Sequence, residues 1–324
     1  MLIARVRRTL IERALITRGS RILCACSGGP DSAALLVALA RLAPELEVEL
    51  AAASVDHGLR PEARMDVAVA GRQAAALGLE FHALQVSVAP GGSVQANARR
   101  VRYAALRGLA AELGARYIAL GHTQDDQAET VLSRLLRGTG VPGLSAIDPA
   151  RPDGVIRPLI DCRRTDVHAF ARQHVQEIAW DQSNLDQRFE RVRIRTHLLP
   201  ALQAEDAALV RHLAELADDA RGYAHVIEER AAQLLSAAEL DPETLKLSAL
   251  VPEASVLRRA ALRRWLLRAL GSAPGRAELM QLDATVCAGH GEVWVSGGHK
   301  VRVEPGGRLH LSAPPGGRAA PAED

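Results

Sequence analysis

The apolar residues of this chain form short continuous runs that alternate with longer amphipathic stretches, and this alternation predicts strands and helices in turn. The predicted strands cover residues 22–26, 47–55, 80–88 and 116–120. The predicted helices cover residues 1–17, 33–40, 61–77, 93–113 and 125–136. Because strand and helix alternate four times, we predict an α/β fold, a doubly wound parallel sheet with helices on both faces.

The second half of the chain follows a different pattern. Residues 142–158 are rich in Pro, Gly and Asp and predict a loop. The pattern then predicts helices at 163–174, 205–232, 256–270 and 275–288, and short strands at 292–296, 300–303 and 309–312. We therefore divide the chain into an N-terminal domain over 1–200, a helical linker over 201–240, a small C-terminal α+β domain over 241–312, and a disordered tail over 313–324.

The turn between the first strand and the next helix has the composition of an anion site. It consists of Ser27, Gly28, Gly29, Pro30, Asp31 and Ser32, and we call it the Ser27 loop. Glycines let the backbone approach a phosphate closely, and a helix N-terminus offers unpaired N–H groups. Pro30 lacks an N–H, but its fixed φ suits a first helical turn. Since no Gly-Lys-Ser/Thr follows, the loop suits a pyrophosphate held by N–H groups, hydroxyls and Mg²⁺.

Further polar residues follow other predicted strands. Asp56 and His57 follow the second strand, and Gly121, His122, Asp125, Asp126 and Glu129 follow the fourth. Ligands bind at the carboxyl ends of strands in such folds, so these residues should converge with the Ser27 loop. On a helix Asp125 and Glu129 share a face, whereas Asp126 points elsewhere. The alternative is that these carboxylates only favour the helix dipole.

Arginine clusters are candidates for phosphate contacts. Arg99 and Arg102 are three residues apart and share a helix face, with Tyr103 one turn from Arg99. If residues 191–195 are extended, Arg191, Arg193 and Arg195 point the same way and could follow a nucleic-acid backbone. The alternative for each arginine is a solvated surface. Trp265, on a predicted basic helix, is expected in the core.

Composition narrows the function classes. The 324 residues carry a formal net charge of +2, so any nucleic-acid contact must come from local clusters. None of the four cysteines forms a Cys-x-x-Cys pair and no two histidines have zinc spacing, which disfavours structural zinc or iron–sulfur sites. The first 21 residues carry charges throughout, and no run reaches membrane-spanning length. We therefore predict that the protein is located in the reducing cytoplasm and has no membrane partner.

Taken in order, the motifs resemble those of the tRNA(Ile)-lysidine synthase family of PP-loop ATP pyrophosphatases, whose fold is adenine nucleotide alpha hydrolase-like. They are Ser-Gly-Gly-x-Asp-Ser from 27, Asp-His-Gly-Leu-Arg from 56, Ala-Arg-x-x-Arg-Tyr from 98, Gly-His-Thr-x-Asp-Asp-Gln-Ala-Glu-Thr from 121, Leu-Leu-Arg-Gly-Thr-Gly from 135, Arg-Pro-Leu from 157 and Trp-Asp-x-Ser-Asn from 180. The resemblance covers roughly residues 21–200 and continues as a similar layout, like a short form of the family. Val192 stands where the family usually has Asn.

The resemblance implies a reaction. ATP adenylates the wobble cytidine, position 34, of the CAU anticodon of tRNA(Ile), and free L-lysine then displaces AMP to leave lysidine. The modified tRNA reads AUA and is charged with isoleucine. The implied cofactors are ATP and Mg²⁺, the implied partners are the tRNA and lysine, and the family allows a homodimer.

The resemblance also assigns roles to residues. The catalytic set is Asp31, His122, Asp126 and Glu129. The ATP set is Ser27, Gly28, Gly29, Pro30, Asp31, Ser32, Asp56, His57, Arg102 and Gly121. The tRNA set is Arg99, Arg191, Arg193 and Arg195, and the Mg²⁺ ligands are Asp31 and Asp125. The general base stays open among His122, Asp126 and Glu129.

Three other functions compete with this one. A PP-loop tRNA thiolase needs a reactive cysteine at the site, and Cys24, Cys26 and Cys162 are poorly placed for that. An amide-forming PP-loop ligase acting on a small molecule would not need the arginine clusters. A non-catalytic nucleotide- or tRNA-binding protein would not need Asp31, His122 and the acidic helix start together.

Overall fold

The computed structural model describes residues 1–56, 58, 63–87, 94–179 and 187–314. His57 and the motif at 180–184 lie outside the described residues. The chain divides into two compact units, Met1–Ala220 and Arg221–Asp324. The domain boundaries expected from the sequence, at 200 and 240, stay predictions.

The first unit is built on a parallel sheet of five strands. They are β1 (Arg21–Ala25), β2 (Glu49–Asp56), β3 (Glu80–Gln85), β4 (Tyr117–Ala119) and β5 (Val155–Ile156), in the spatial order β3-β2-β1-β4-β5. The predicted α/β sheet is therefore confirmed. Strand β5 lies inside the segment predicted as a loop. It has two residues, too few to show any periodicity between the surrounding prolines and glycines.

Helices cover both faces of this sheet. The helices of residues 1–174 are α1 (Leu2–Glu12), α2 (Pro30–Leu46), α3 (Ala63–Ala75), α4 (Val94–Glu112), α5 (Gln124–Leu136), α6 (Val141–Leu144) and α7 (Arg164–His174), of which α1 to α4 and α7 cover the sheet. Side chains of α1, α2, α3 and α7 pack with Ile22 and Cys24 on one face. Side chains of α4 pack with Leu23 and Ile118 on the other face. The buried runs of the strands follow from this double cover, because both faces of each strand must be apolar.

The strand order indicates at which point of the sheet a ligand can bind. The chain runs from β1 outward to β2 and β3, and then crosses back to β4 on the other side of β1. The order therefore reverses between β1 and β4. Connections leave a crevice at such a reversal, beyond the carboxyl ends of the two strands. The Ser27 loop and Gly121 follow those two strands.

Residues 190–205 are helical rather than extended. They form α8 (Glu190–Arg193), a π-helical turn (Ile194–Leu198) and α9 (Leu199–Glu205), followed by α10 (Leu209–Ala238). The prediction that Arg191, Arg193 and Arg195 share one direction is therefore wrong. The alternating Arg-Val-Arg-Ile-Arg pattern looks like a strand, but burial of Ile194 and Leu199 in one core with α5 favours a helix.

The second unit is an α+β body, as predicted. Its antiparallel sheet contains β6 (Glu239–Asp241), β7 (Thr244–Lys246), β8 (Glu292–Val295), β9 (His299–Glu304) and β10 (Arg308–Ser312), in the order β6-β7-β10-β9-β8. Its helices are the C-terminal part of α10, α11 (Leu247–Leu250), α12 (Ser255–Leu270) and α13 (Arg276–Ala288). Trp265 is fully buried, which confirms its predicted place in the core. In the described part of the chain, no helix is long and apolar enough to cross a membrane.

Candidate active site at the switch point

The Ser27 loop is shaped around Gly28. Its φ is +77°, in the left-handed region that favours glycine. A Cβ added there would lie 2.8 Å from the carbonyl oxygen of Asp66 and 3.0 Å from the Cβ of Ala179. The carbonyl of Gly28 accepts hydrogen bonds from Ala179 N (2.9 Å) and from the buried Gln73 Nε2 (3.0 Å). The loop is therefore held from behind by two other segments of the first unit.

The rest of the loop confirms the predicted strand–loop–helix geometry. Helix α2 begins at Pro30, with Gly29 in extended conformation as its N-cap. The Ser32 hydroxyl accepts from Ser27 N at 3.1 Å and donates to Gly29 O at 3.0 Å. Asp31 Oδ1 lies 3.1 Å from His168 Nε2 of α7. The loop is thus closed by its own hydrogen bonds, and the carboxylate of Asp31 stands at the helix start.

Gly121 lies directly against this helix start. A Cβ added to Gly121 would meet the carbonyl carbon and oxygen of Asp31 at 3.1 Å and Ser32 N at 3.2 Å. A side chain larger than hydrogen would push β4 away from the loop. The two motifs predicted to converge do so, and glycine at 121 is what allows the close approach.

Two carboxylates of α5 face a group of three arginines. Asp126 Oδ1 accepts from Arg164 at 2.9 Å and from Arg191 at 2.7 Å. Glu129 accepts from Arg164 (2.6 Å), Arg191 (3.0 Å) and Arg195 (2.8 and 3.0 Å). We call these five residues the arginine–carboxylate cluster. It is brought together by α5, the start of α7 and the helical segment 190–198.

The two carboxylates of the cluster are buried and stay ionised. Glu129 is fully buried and Asp126 is 6% exposed. Burial raises the pKa of each carboxyl group, but the surrounding guanidiniums outweigh it and hold both pKa values below their usual range. Three guanidiniums on two carboxylates leave an excess of positive charge. The cluster can therefore attract a further anion.

Helix geometry explains which carboxylates pair. Asp126 and Glu129 are three residues apart and share the arginines, while Asp125 faces the N-terminus of α7. Asp125 Oδ2 accepts from the backbone N of Arg164 at 2.7 Å and from Arg163 Nε at 3.4 Å. The expectation that Asp126 points away from the shared face is wrong. Asp126 also caps its own helix, since Oδ2 accepts from Thr123 N and Thr123 Oγ1.

His122 is neutral near pH 7. Burial lowers its pKa to about 3 against the opposing effect of Asp126, and Arg157, Arg191 and Arg99 lower it further. Its Nδ1 is buried and has no hydrogen-bond partner among the described residues. A neutral imidazole with an unpartnered nitrogen can accept a hydrogen bond or a proton from a ligand.

Four more arginines surround the buried ring of Tyr103. The guanidinium carbons of Arg99, Arg102 and Arg151 lie 5.1, 5.7 and 5.4 Å from the ring centre. Arg157 is 3% exposed, donates to the carbonyl oxygen of Asp148, and its Nε is unpartnered in the described part of the chain. Burial lowers the pKa of Arg102 and of Arg157, a sign that their charges lack full compensation. These four arginines around Tyr103 also favour the binding of an anion.

The remaining predicted residues lie in other settings. Arg193 donates to the carbonyl oxygens of Gln187 and Arg188 at 3.0 and 2.9 Å, so it points away from the carboxylates. Asp56 Oδ1 accepts from Gly58 N at 2.8 Å and closes its own turn. Sequence reasoning gave no role to Arg157, Arg164 or His168. The signal for Arg164 was two arginines at a helix start, where the dipole disfavours cations unless acids face them.

Few side chains in the described part of the chain are placed to bind Mg²⁺. No group of three or more His, Cys, Asp or Glu side chains among the residues the structure describes could hold a metal by itself. Mg²⁺ usually takes one or two carboxylates together with substrate phosphates. Asp31 fits that pattern because it stands beside the loop with about a third of its side chain exposed. Asp125 fits less well, since one of its oxygens already caps α7.

Comparison with known proteins agrees with this architecture. Residues 3–202 match a PP-loop domain, and residues 245–306 match a TilS substrate binding domain. A tRNA(Ile)-lysidine synthase of Symbiobacterium thermophilum is 44% identical over 228 residues, which cover 67% of this chain and 47% of that protein. One of Bordetella pertussis is 36% identical over 313 residues, which cover 91% of this chain and 97% of that protein.

A solved structure shares the fold of the first unit. A U34-tRNA thiolase of Methanococcus maripaludis superposes with a TM-score of 0.53 and 19% identity, over 67% of this chain and 78% of that chain. The chain spans about half the length of the first curated relatives it matches, and nearly all of others. Because the PP-loop match covers more than half of the chain and the Bordetella pertussis relative is matched over almost its full length, this chain belongs to the tRNA(Ile)-lysidine synthase family.

Proposed function

We propose that this protein ligates free L-lysine to cytidine 34 of the CAU anticodon of tRNA(Ile), using ATP and releasing AMP and pyrophosphate. The observation that carries the proposal is the contact between Gly121 and the Ser27 loop, which brings the loop next to the buried, ionised carboxylates of α5 and their arginine partners. Family membership supports the same reaction. A cytoplasmic location and a homodimer remain predictions.

The Ser27 loop would bind the polyphosphate of ATP. Backbone N–H groups at the start of α2 and the hydroxyl of Ser27 supply donors, and the helix dipole favours the negative charge. Mg²⁺ with the phosphates would be held by Asp31, and its chemistry there is to neutralise the pyrophosphate leaving group. Arg102 and Arg99, beside Tyr103, would take up the negative charge of the substrate phosphates.

Two displacements complete the proposed reaction. First, the carbonyl oxygen of cytidine attacks the α-phosphorus of ATP, forming an O–P bond while the bond to pyrophosphate breaks. The amino group of lysine then attacks the activated carbon, forming a C–N bond while the bond to AMP breaks. The amine loses a proton in this step, so a base must stand near it.

His122 is the best-placed base in this scheme. Asp126 and Glu129 are each tied to at least two guanidiniums, which lowers their basicity. His122 is neutral and its Nδ1 is unpartnered in the described part of the chain. A bound triphosphate near Arg99 and Arg157 would raise the pKa of His122 from its low value, since an added anion favours the charged imidazole.

The thiolase alternative has less support. Burial raises the pKa of Cys26 and of Cys162 to about 12 and holds that of Cys24 well above its usual value. A reactive cysteine needs a thiolate at neutral pH, and these three thiols are protonated there. Cys287 is exposed but belongs to the second unit. The likeness to a thiolase structure concerns the fold alone.

The direct test is transfer of labelled lysine. The protein is incubated with ATP, Mg²⁺, labelled L-lysine and a tRNA(Ile) transcript with a CAU anticodon, beside a transcript whose wobble base is uridine. We expect label in the first tRNA only, with one AMP formed for each lysine transferred. Absence of label, with an active synthase as positive control, would overturn the proposal.

A further inference from the structure

A buried glutamine lies behind the Ser27 loop. Gln73, on α3, is 7% exposed. Its Nε2 donates to the carbonyl oxygen of Gly28 at 3.0 Å and to that of Glu177 at 2.8 Å. Both acceptors are backbone carbonyls, which fixes the orientation of the amide, because a reversed amide would place Oε1 against two oxygens. One side chain thus ties α3 to the loop and to the segment 177–179.

The same side chain leaves one of its own groups unsatisfied. Oε1 of Gln73 is buried and has no hydrogen-bond partner in the described part of the chain. A buried acceptor without a partner costs free energy of folding, and a methionine would fill the same space without that cost. Packing alone therefore does not account for a glutamine at this position. What the glutamine adds is the pair of hydrogen bonds to the two carbonyls.

The hydrogen bond to Gly28 decides where the next N–H group points. The described residues contain no cis peptide bond, and in a trans peptide the carbonyl and the following N–H point in opposite directions. Because the carbonyl of Gly28 is turned toward Gln73 and Ala179, the N–H of Gly29 is turned away from them. No described residue accepts a hydrogen bond from this N–H. It can therefore donate to a ligand.

This N–H matters because the helix start supplies few others. Pro30 has no N–H, and the N–H of Ala33 already donates to Gly29 O at 3.0 Å. The N–H groups of Asp31 and Ser32 remain at the first turn of α2. The N–H of Gly29 is a third donor at the same end of the helix, where the dipole favours an anion.

We propose that Gln73 is a positioning residue for ATP. By holding the carbonyl of Gly28, it keeps the N–H of Gly29 directed at an oxygen of the pyrophosphate part of ATP, beside the N–H groups of α2. This inference rests on the proposed function, which supplies ATP. The competing explanation is that Gln73 only joins α3 to the segment 177–179 and so stabilises the fold. The two explanations differ in what they predict for the phosphates.

The test measures equilibrium binding of ATP and of AMP, each with Mg²⁺ and without tRNA or lysine, by isothermal titration calorimetry. AMP shares the nucleoside and one phosphate with ATP but lacks the pyrophosphate part. A lost contact to that part therefore lowers the affinity for ATP and not for AMP, whereas a loosened fold lowers both. The ratio of the two affinities separates positioning from stability.

Four full-length variants are compared with wild type. Gln73→Met keeps the volume and removes the donor, and Gln73→Asn keeps an amide that is one methylene too short to reach both carbonyls. Gln73→His restores one N–H at a similar distance. Arg72→Gln is the matched control, since Arg72 precedes Gln73 on α3 and donates twice to the Glu177 side chain at 2.8 Å, not to Gly28. Urea unfolding is recorded for each variant.

The expected results separate the two explanations. Gln73→Met and Gln73→Asn should bind ATP roughly 10-fold more weakly, about the loss of one hydrogen bond to a charged phosphate, with AMP affinity within about 2-fold of wild type. Gln73→His should recover part of the ATP affinity, and Arg72→Gln should bind both nucleotides as wild type does. Wild-type ATP affinity in Gln73→Met and Gln73→Asn would overturn the proposal, as would equal losses for ATP and AMP. Gln73→Asn decides alone if Gln73→Met does not fold.

The two proposals can fail separately. If wild type transfers lysine but the Gln73 variants keep its ratio of ATP to AMP affinity, only the role of Gln73 is wrong. If the Gln73 variants lose ATP affinity as expected but wild type transfers no lysine, only the proposed reaction is wrong. If wild type binds no ATP, both are wrong.

Discussion

Gly28 shows how one residue defines the candidate ATP site. Its positive φ and its closeness to Asp66 and Ala179 leave room for hydrogen only. Gly19 offers a matched position, because its φ is +73° but a Cβ there would meet nothing within 4 Å. The pair therefore separates backbone strain from steric contact.

We predict that Gly28→Ala destabilises the protein more than Gly19→Ala. Both variants place a side chain at positive φ, at a cost of about 1–2 kcal/mol. Only Gly28→Ala adds a collision with a backbone oxygen, so it should also abolish AMP formation, while Gly19→Ala leaves it near the wild-type rate. Urea unfolding and the AMP assay measure the two effects. Equal losses in both variants would contradict a close-packed loop.

The low pKa of His122 leads to a second prediction at the residue scale, on how stability depends on pH. Its pKa is about 3 in the folded protein, against about 6.5 in an unfolded chain. Between these values the unfolded state binds the proton and the folded state does not, so the contribution of His122 to stability is present above pH 6.5 and lost as the pH falls. The loss between pH 6.5 and pH 5 is at most about 2 kcal/mol.

His122→Asn removes this titration. We expect the free energy of unfolding of the variant to fall less than that of wild type between pH 7 and pH 5, measured by urea unfolding at each pH. Asp126 and Glu129, with lowered pKa values, lose their contribution only at more acidic pH, as it falls below about 4. Parallel pH profiles for wild type and His122→Asn would contradict an imidazole that stays neutral in the folded protein.

At the scale of elements, three helical segments meet in the arginine–carboxylate cluster. Helix α5 supplies the carboxylates. The starts of α7 and of the 190–198 segment supply the arginines. Removing one guanidinium leaves two cations for two carboxylates. Removing one carboxylate leaves three guanidiniums around a single acid. The two kinds of substitution should therefore differ in cost.

We predict that Glu129→Gln lowers the free energy of unfolding more than Arg195→Gln does. Removing the buried Glu129 breaks its ion pairs with three guanidiniums and should cost up to about 3–5 kcal/mol, although Asp126 still accepts from Arg164 and Arg191. Replacing Arg195, about a third exposed, by Gln should cost about 1 kcal/mol. In the double variant the loss should be smaller than the sum, because Arg195 no longer faces an uncompensated cluster. Urea unfolding of the four proteins gives the coupling. Additivity within about 0.5 kcal/mol would contradict the cluster as one unit.

The same elements show what could be predicted from the sequence. The Ser27 loop, Gly121 and the acidic helix start, predicted at 125 and observed at Gln124, could be identified because their chemistry is local to a strand end. The arginine partners of Asp126 were not, because Arg164 and Arg191 reach it from 38 and 65 residues away. No local pattern encodes such a contact. The strand-like alternation at 191–195 predicted the wrong conformation for a related reason. Packing against residues distant in the sequence makes this segment helical.

At the scale of the whole molecule, charge distribution matters more than total charge. A net charge of +2 gives little long-range attraction for tRNA. Under the proposed function, tRNA binding therefore depends on separate local contacts, for which Arg193 in the first unit and Arg302 in the second are exposed candidates. If both touch one tRNA, their phosphate contacts should contribute independently to the salt dependence of binding.

We predict that Arg193→Gln and Arg302→Gln each reduce the slope of log K against log salt by about 1, and that the double variant reduces it by about 2. Arg211→Gln is the control, because Arg211 is exposed and ion-paired with Glu215, as Arg302 is with Glu292, but is not among the arginines proposed to contact tRNA. The measurement is tRNA(Ile) affinity between about 50 and 200 mM salt, where counterion release is well resolved. A double variant with the slope of either single variant would mean that only one of the two surfaces contacts the bound tRNA. Since each slope counts phosphates rather than bases, this result does not depend on which bases the protein contacts.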